Sequence, residues 1–176
     1  MKKIIFFDAD GTLWYPRETK YEQHPVWIYR TYINEHEARK RFVIVPTVLK
    51  TLKKLKGLKI KLILLSTHPK SPKEANPMLK RSLEYHKLTN LFDEVHATKD
   101  HYESKGEFIL SILKKYKLKK KEALMVGDSY EWDYKPARDV GVEALLIKTN
   151  YKKNHPSTKK VRRTIRRLKD IFEFLK

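Results

Sequence analysis

The sequence predicts an α/β fold: a Rossmann-like three-layer α/β/α sandwich around a central parallel sheet of five strands. Three observations predict it. Short, nearly continuous apolar runs alternate along the chain with stretches whose apolar residues recur every three or four positions. The runs lack the polar alternation of a half-exposed strand, as parallel strands covered on both faces do. Several of them also stop abruptly at Asp or Ser, and open α/β sheets bind ligands beyond the carboxyl ends of their strands.

The elements follow in order. "KKIIFF" (2–7) is the first strand, ending where Asp8 begins. "VPTVLKTLKKLKG" (45–57) places Val48, Leu49, Leu52 and Leu55 on one helical face, with Gly57 as its stop. "LKIKLILLS" (58–66) is the second strand, and "KEANPMLKRSLEYHKL" (73–88) a helix whose start Pro77 limits. "FDEVHAT" (92–98) is the third strand. "KGEFILSILKKYK" (105–117) is amphipathic through Phe108, Ile109, Ile112, Leu113 and Tyr116. "EALMVGD" (122–128) and "EALLI" (143–147) are the fourth and fifth strands, separated by a short helix over 135–141 that Gly141 closes. The segment 157–176 is expected to be a basic amphipathic helix, with Val161, Ile165, Leu168, Phe172 and Leu175 as its apolar stripe.

One segment breaks the rhythm. Residues 14–44 are too many for an ordinary strand-to-helix connection. The segment carries Trp14, Tyr15, Tyr21, Trp27, Tyr29 and Tyr32, and part of it, about 25–41, has helical character. It is read as a small cap-like insert within one domain spanning 1–176, too short to form a full cap. The site beneath it is therefore expected to be fairly open.

Composition narrows the function. With no cysteine, a disulfide framework, thiolate zinc sites and a cysteine nucleophile are excluded. The opening "MKKIIFF" has too short an apolar run for a signal peptide, and no stretch is long enough for a membrane helix, so a cytoplasmic protein is expected. The net charge of +19 allows nucleic-acid or acidic partners, or serves solubility alone.

Chemistry concentrates at the strand ends. Asp8 and Asp10, with only Ala9 between them, repel each other unless a cation intervenes. Mg²⁺ suits such a pair, because it binds through one or two carboxylates, water and substrate phosphate. Asp128 ends another strand and can close the same site. A carboxylate at a strand tip can also attack phosphorus, splitting a difficult displacement into two easier ones.

"DADGTL" (8–13), "LILLS" (62–66), "SKGEF" (104–108) and "VGDSYEWDYKPARDVGV" (126–142) resemble, in order, the four signature motifs of the haloacid dehalogenase (HAD) superfamily. The resemblance covers roughly residues 3–147. It implies a phosphatase that uses Mg²⁺ and an aspartyl-phosphate intermediate. Asp8 is then the nucleophile and Asp10 the acid and base. Ser66 holds a phosphoryl oxygen, with Thr67 as its competitor, because a shift of one residue exchanges their faces. Lys105 pairs with Asp8, with Lys99 as the fallback. The metal ligands are Asp8, Asp128 and Asp10 through its backbone carbonyl. Asp133 joins them through metal-bound water, or else anchors Lys105. "FDADGTLW" with its short insert is similar to the small magnesium-dependent phosphatase-1 branch, although Gly11 stands where that branch usually has Tyr.

Substrates in keeping with this reading are a phosphorylated small molecule or the phosphorylated end of a polymer. A different class is nucleic-acid binding, or phosphatase action on nucleic-acid ends. The stretch "KKNHPSTKKVRRTIRRLK" (152–169) motivates it, with nine Lys or Arg and no acid. The exposed face of a packed helix explains the same charge. A dehalogenase is disfavoured, since that chemistry requires neither Asp10 nor a metal. His68 follows Ser66 and is a candidate to face the substrate, while His96, Asp100 and His101 are read as loop residues rather than a second metal site.

Overall fold

A computed structural model describes residues 1–32, 34–68, 70–99, 104–152 and 161–176. The first half of the chain runs through β1 (Ile4–Phe7), β2 (Trp14–Pro16), α1 (Val26–Thr31), α2 (Glu35–Lys40), β3 (Phe42–Ile44), α3 (Val48–Gly57) and β4 (Lys61–His68). The second half continues with α4 (Pro72–Tyr85), β5 (Glu94–Lys99), α5 (Lys105–Tyr116), β6 (Ala123–Gly127), α6 (Lys135–Asp139), β7 (Glu143–Ile147) and β8 (Thr164–Ile165). None of the helices among the described residues is long and apolar enough to cross a membrane.

The continuous apolar runs become the parallel sheet, in the order β5-β4-β1-β6-β7-β8. Alternate residues of each strand feed two separate cores. Ile5, Phe7, Leu62, Leu64, Leu124 and Val126 pack with α3, α4 and the C-terminal segment on one face. Ile4, Phe6, Ile63, Leu65 and Met125 pack with α5 and α6 on the other. These two covered faces make the three layers.

β1 lies between β4 and β6, with Phe7 opposite both Leu64 and Val126. That register has a direct consequence. Asp8, Ser66 and Asp128, each one or two residues farther on, all emerge at the same carboxyl edge at the centre of the sheet.

Three expectations need correction. The sheet has six strands rather than five, because Thr164 and Ile165 pair in parallel with Leu146 and Ile147 of β7. For the same reason the expected helix over 157–176 does not form across residues 161–176. The β-branched pair Thr164–Ile165 caps the open edge of the sheet, and a 3-10 helix follows at Leu168–Phe174. The expected stripe survives in part: Ile165, Leu168 and Leu175 are buried against the core and Phe172 packs on it half-buried, while fully buried Ile171 lies outside that stripe. Residues 157–160 lie outside the described residues. Finally, α4 starts at Pro72 and runs through Pro77 instead of being limited by it. Pro72 sits at the start of the helix, where no N–H is needed, and Glu74 accepts from the Ser71 backbone N–H at 3.2 Å.

The insert has its own architecture. β2 and β3 pair antiparallel, with Trp14 opposite Ile44 and Pro16 opposite Phe42. α1 and α2 lie between them, and the Asn34 side chain caps α2 by accepting from the N–H of His36 at 2.8 Å. Buried Ile28 and Ala38 tie both helices to the main core.

Candidate active site

Asp8 is the first residue past β1, and its N–H still donates to Val126 O at 2.9 Å. The strand therefore fixes its backbone. Lys105 opens α5, and its ammonium group donates to Asp8 Oδ1 at 2.7 Å and to Asp133 Oδ1 at 2.6 Å. A lysine at 2% exposure is held only by such partners. Burial opposes its charge, but Asp133 and Asp8 outweigh burial and keep its pKa above the ordinary lysine value. Gly106 makes this placement sterically feasible: a Cβ there would collide with the Pro136 carbonyl, so only glycine lets α5 approach α6 this closely. Lys99, the fallback, sits exposed at the end of β5.

Asp133 lies in the π-helical turn Tyr130–Tyr134 that follows β6. Its Oδ2 accepts from the Ser129 N–H at 2.9 Å while Oδ1 takes Lys105. Both oxygens are thus engaged, which favours the anchoring role for Asp133. Burial raises its pKa above the carboxylate range, although Lys105 pulls it back.

Asp8, Asp128 and Asp133 each offer a carboxylate oxygen within 4.8 Å of the others. The convergence of Asp8 and Asp128 is the arrangement the sequence predicts for a metal site. The donor set also fits Mg²⁺, being all oxygen and acidic. Lys105 supplies one positive charge to this group of carboxylates, and Asp128 Oδ2 accepts from a neutral hydroxyl, that of Tyr151, at 2.6 Å.

Asp10 stands slightly apart. Its Oδ1 accepts two hydrogen bonds, from Trp14 Nε1 at 2.6 Å and from the Tyr29 hydroxyl at 3.0 Å. Burial, with the charge of Asp8 added, pushes its pKa up to about 7 against those bonds. A carboxyl with such a pKa can both give and take a proton near neutrality.

Asp8, Asp10, Asp128 and Asp133 line one cavity of about 410 Å³ together with Ser66, Thr67, His68 and Trp132. Thr67 Oγ1 lies 3.3 Å from Thr98 Oγ1, so that hydroxyl is already shared with β5. His68 does face the cavity, its Nδ1 accepting from the Lys70 N–H at 3.0 Å, and burial lowers its pKa. His96 lies within β5 rather than in the expected loop, where it pairs with Glu94 at 2.7 Å, and Asp100 and His101 lie outside the described residues.

The insert provides the opposite wall through His24, Val26, Tyr29, Tyr32 and Glu35. Two short helices anchored by Ile28 and Ala38 bring Tyr29, Tyr32 and Glu35 to this wall. Tyr29 and Trp14 are visible in the sequence only as part of an aromatic cluster, and their bonds to Asp10 are not. Tyr151 carries a signal that the strand-end rule offers: it stands just beyond the carboxyl end of β7.

A family model described as haloacid dehalogenase-like hydrolase matches residues 15–147. The chain belongs to this family. The match starts after Asp8 and Asp10, so the first motif is supported by its geometry. Among solved structures, a haloacid dehalogenase-like hydrolase from Streptococcus pneumoniae shares the fold at a TM-score of 0.74 and 16% identity, with 99% of each chain covered. A predicted phosphoglycolate phosphatase from Haemophilus somnus has a TM-score of 0.71 at 19% identity, covering 99% of this chain and 98% of that one. A HAD phosphatase from Thermococcus onnurineus has the same TM-score, 0.71, also at 19% identity, with 99% and 98% covered. No protein with a curated description matches the chain. At these identities the structural likeness establishes the fold, while the family model makes this HAD chain a hydrolase.

Proposed function

We propose that this protein is a Mg²⁺-dependent phosphatase that hydrolyses phosphate monoesters through an aspartyl-phosphate on Asp8. The observation that carries the proposal is the meeting of Asp8, Asp128 and Lys105 at one strand edge, beside an acid whose pKa is pushed up to about 7.

An Asp8 carboxylate oxygen attacks phosphorus, and the bond from phosphorus to the ester oxygen breaks. Asp10 gives its proton to that departing oxygen, which leaves as the alcohol. A water molecule then loses a proton to Asp10 and attacks the phosphorus of the aspartyl-phosphate, releasing phosphate and restoring both acids. Lys105 offsets the charge that builds on the phosphoryl oxygens, and Ser66 holds one of them. Asp133 keeps Lys105 aimed at Asp8.

Mg²⁺, held by Asp8, Asp128 and the Asp10 backbone carbonyl, would neutralise this acidic cluster and polarise the phosphoryl group. The leaving group enters the cavity of about 410 Å³ between the insert and the β4 end. That volume suits a small phosphorylated molecule or a phosphorylated polymer end.

A panel of phosphorylated metabolites, peptides and oligonucleotides, assayed with Mg²⁺ and with chelator, tests the proposal. Turnover should require Mg²⁺ and vanish in Asp8→Asn. Equal turnover by that variant would refute the assignment.

A further inference from the structure

We infer that Tyr151 is a positioning residue for Asp128, fixing the rotation of that carboxylate for the cation proposed to bind there. The inference rests on the metal-binding reading of the acidic cluster. Its geometric basis is a hydrogen bond of 2.6 Å from the Tyr151 hydroxyl to Asp128 Oδ2. A ligating carboxylate that can rotate freely loses order each time it binds a cation, and a fixed donor on one oxygen removes that cost.

Tyr151 is itself held. The N–H groups of Asn150 and Tyr151 donate to the Tyr21 carbonyl at 3.0 and 3.2 Å. The Asn150 side chain also donates to Glu22 Oε1. The His24 ring meets the Tyr151 ring edge-on, with centroids 5.3 Å apart. Residues 21–24 of the insert therefore clasp the segment after β7 and press its tyrosine onto Asp128. This gives the insert a task besides walling the cavity.

Gly11 completes the arrangement. Its φ is +73°, and a Cβ there would collide with the Tyr151 hydroxyl and lie 2.8 Å from Asp128 Cγ. A side chain on the residue after Asp10 would thus displace this hydroxyl. Glycine leaves the volume that the hydroxyl occupies.

The experiment is Mg²⁺ titration of metal-free wild type, Tyr151→Phe and Asp128→Asn by calorimetry, with melting temperatures measured with and without Mg²⁺. Tyr151→Phe removes one oxygen and keeps the ring, so the metal-free protein should stay folded and lose no more melting temperature than one hydrogen bond accounts for. Its Mg²⁺ affinity should fall about 10-fold or more, as loss of a partner behind a metal ligand does. The stabilisation by saturating Mg²⁺ should persist once the higher concentration is reached. Wild-type affinity in Tyr151→Phe, with binding lost in Asp128→Asn, would overturn the inference alone, as would an equal loss of stability with and without Mg²⁺ at unchanged affinity. Unchanged Mg²⁺ binding in Asp128→Asn would overturn the metal site and the inference with it.

Discussion

Lys105 Nζ lies 2.7 Å from Asp8 Oδ1, although 97 residues of chain separate the two. The ion pair is buried, and its second arm reaches Asp133 at 2.6 Å. The ammonium group is therefore both a stabilising cation and the group best placed to meet charge on a phosphoryl ligand of Asp8.

Lys105→Met should accordingly damage both properties. Removing the cation leaves buried carboxylates uncompensated, at a cost of about 3–5 kcal/mol. Urea unfolding of the metal-free variant should show this loss. At saturating Mg²⁺ the variant should refold in part, yet turn over at least about 100-fold more slowly than wild type.

Tyr29→Phe isolates the second donor on Asp10. The ring keeps its place against Phe42, with centroids 5.4 Å apart, so the stability lost should be no more than that of the hydrogen bond. Loss of a hydrogen bond to a charged group is worth about 1.5–3 kcal/mol. Steady-state kinetics should then show kcat lowered by about 10-fold or more, with KM nearly unchanged. A change in KM alone would assign Tyr29 to substrate contact instead.

His86 makes stability depend on pH. Burial, with Arg39 nearby, lowers its pKa to about 4 from 6.5, and its ring stacks on Trp14 with centroids 5.3 Å apart. Between these two values the unfolded chain binds the proton and the folded chain does not, so protonation favours unfolding. The contribution is complete above pH 6.5 and is lost as pH falls toward 4. Allowing for solvent screening, roughly 1–2 kcal/mol should disappear across this window. Urea titrations at several pH values should record it, and His86→Phe should flatten the slope.

The C-terminal segment also has a measurable role. Ile171 is fully buried in the larger core, so Ile171→Ala should cost about 2–5 kcal/mol in urea unfolding. An exposed, loosely attached segment would lose almost nothing.

Much of this molecule is legible in the sequence, because continuous apolar runs and period-3.6 patterns report burial directly. The strands β1, β4, β5, β6 and β7 and the positions of Asp8, Asp10, Ser66 and Asp128 follow from runs that stop at polar residues, whereas Lys105 and Asp133 follow from the resemblance to the HAD motifs. β8 does not. A stripe such as Ile165, Leu168, Phe172 and Leu175 serves a helix or a strand followed by a tight helical turn, and the open edge of β7 decides between them. The hairpin of β2 and β3 is too short to leave a pattern of its own. The bonds of Tyr29 and Tyr151 to Asp10 and Asp128 join residues 19 and 23 positions apart, and only the packed insert brings them together.

The most direct measurement is of where the phosphoryl group resides. Asp10→Asn, given a ³²P-labelled aryl phosphate whose leaving group needs no proton, should still form the aspartyl-phosphate while hydrolysing it slowly, so acid quench should trap label in the protein. Peptide mapping is expected to place that label on Asp8, with none retained by Asp8→Asn. Label on another residue, or full turnover by Asp8→Asn, would contradict the mechanism.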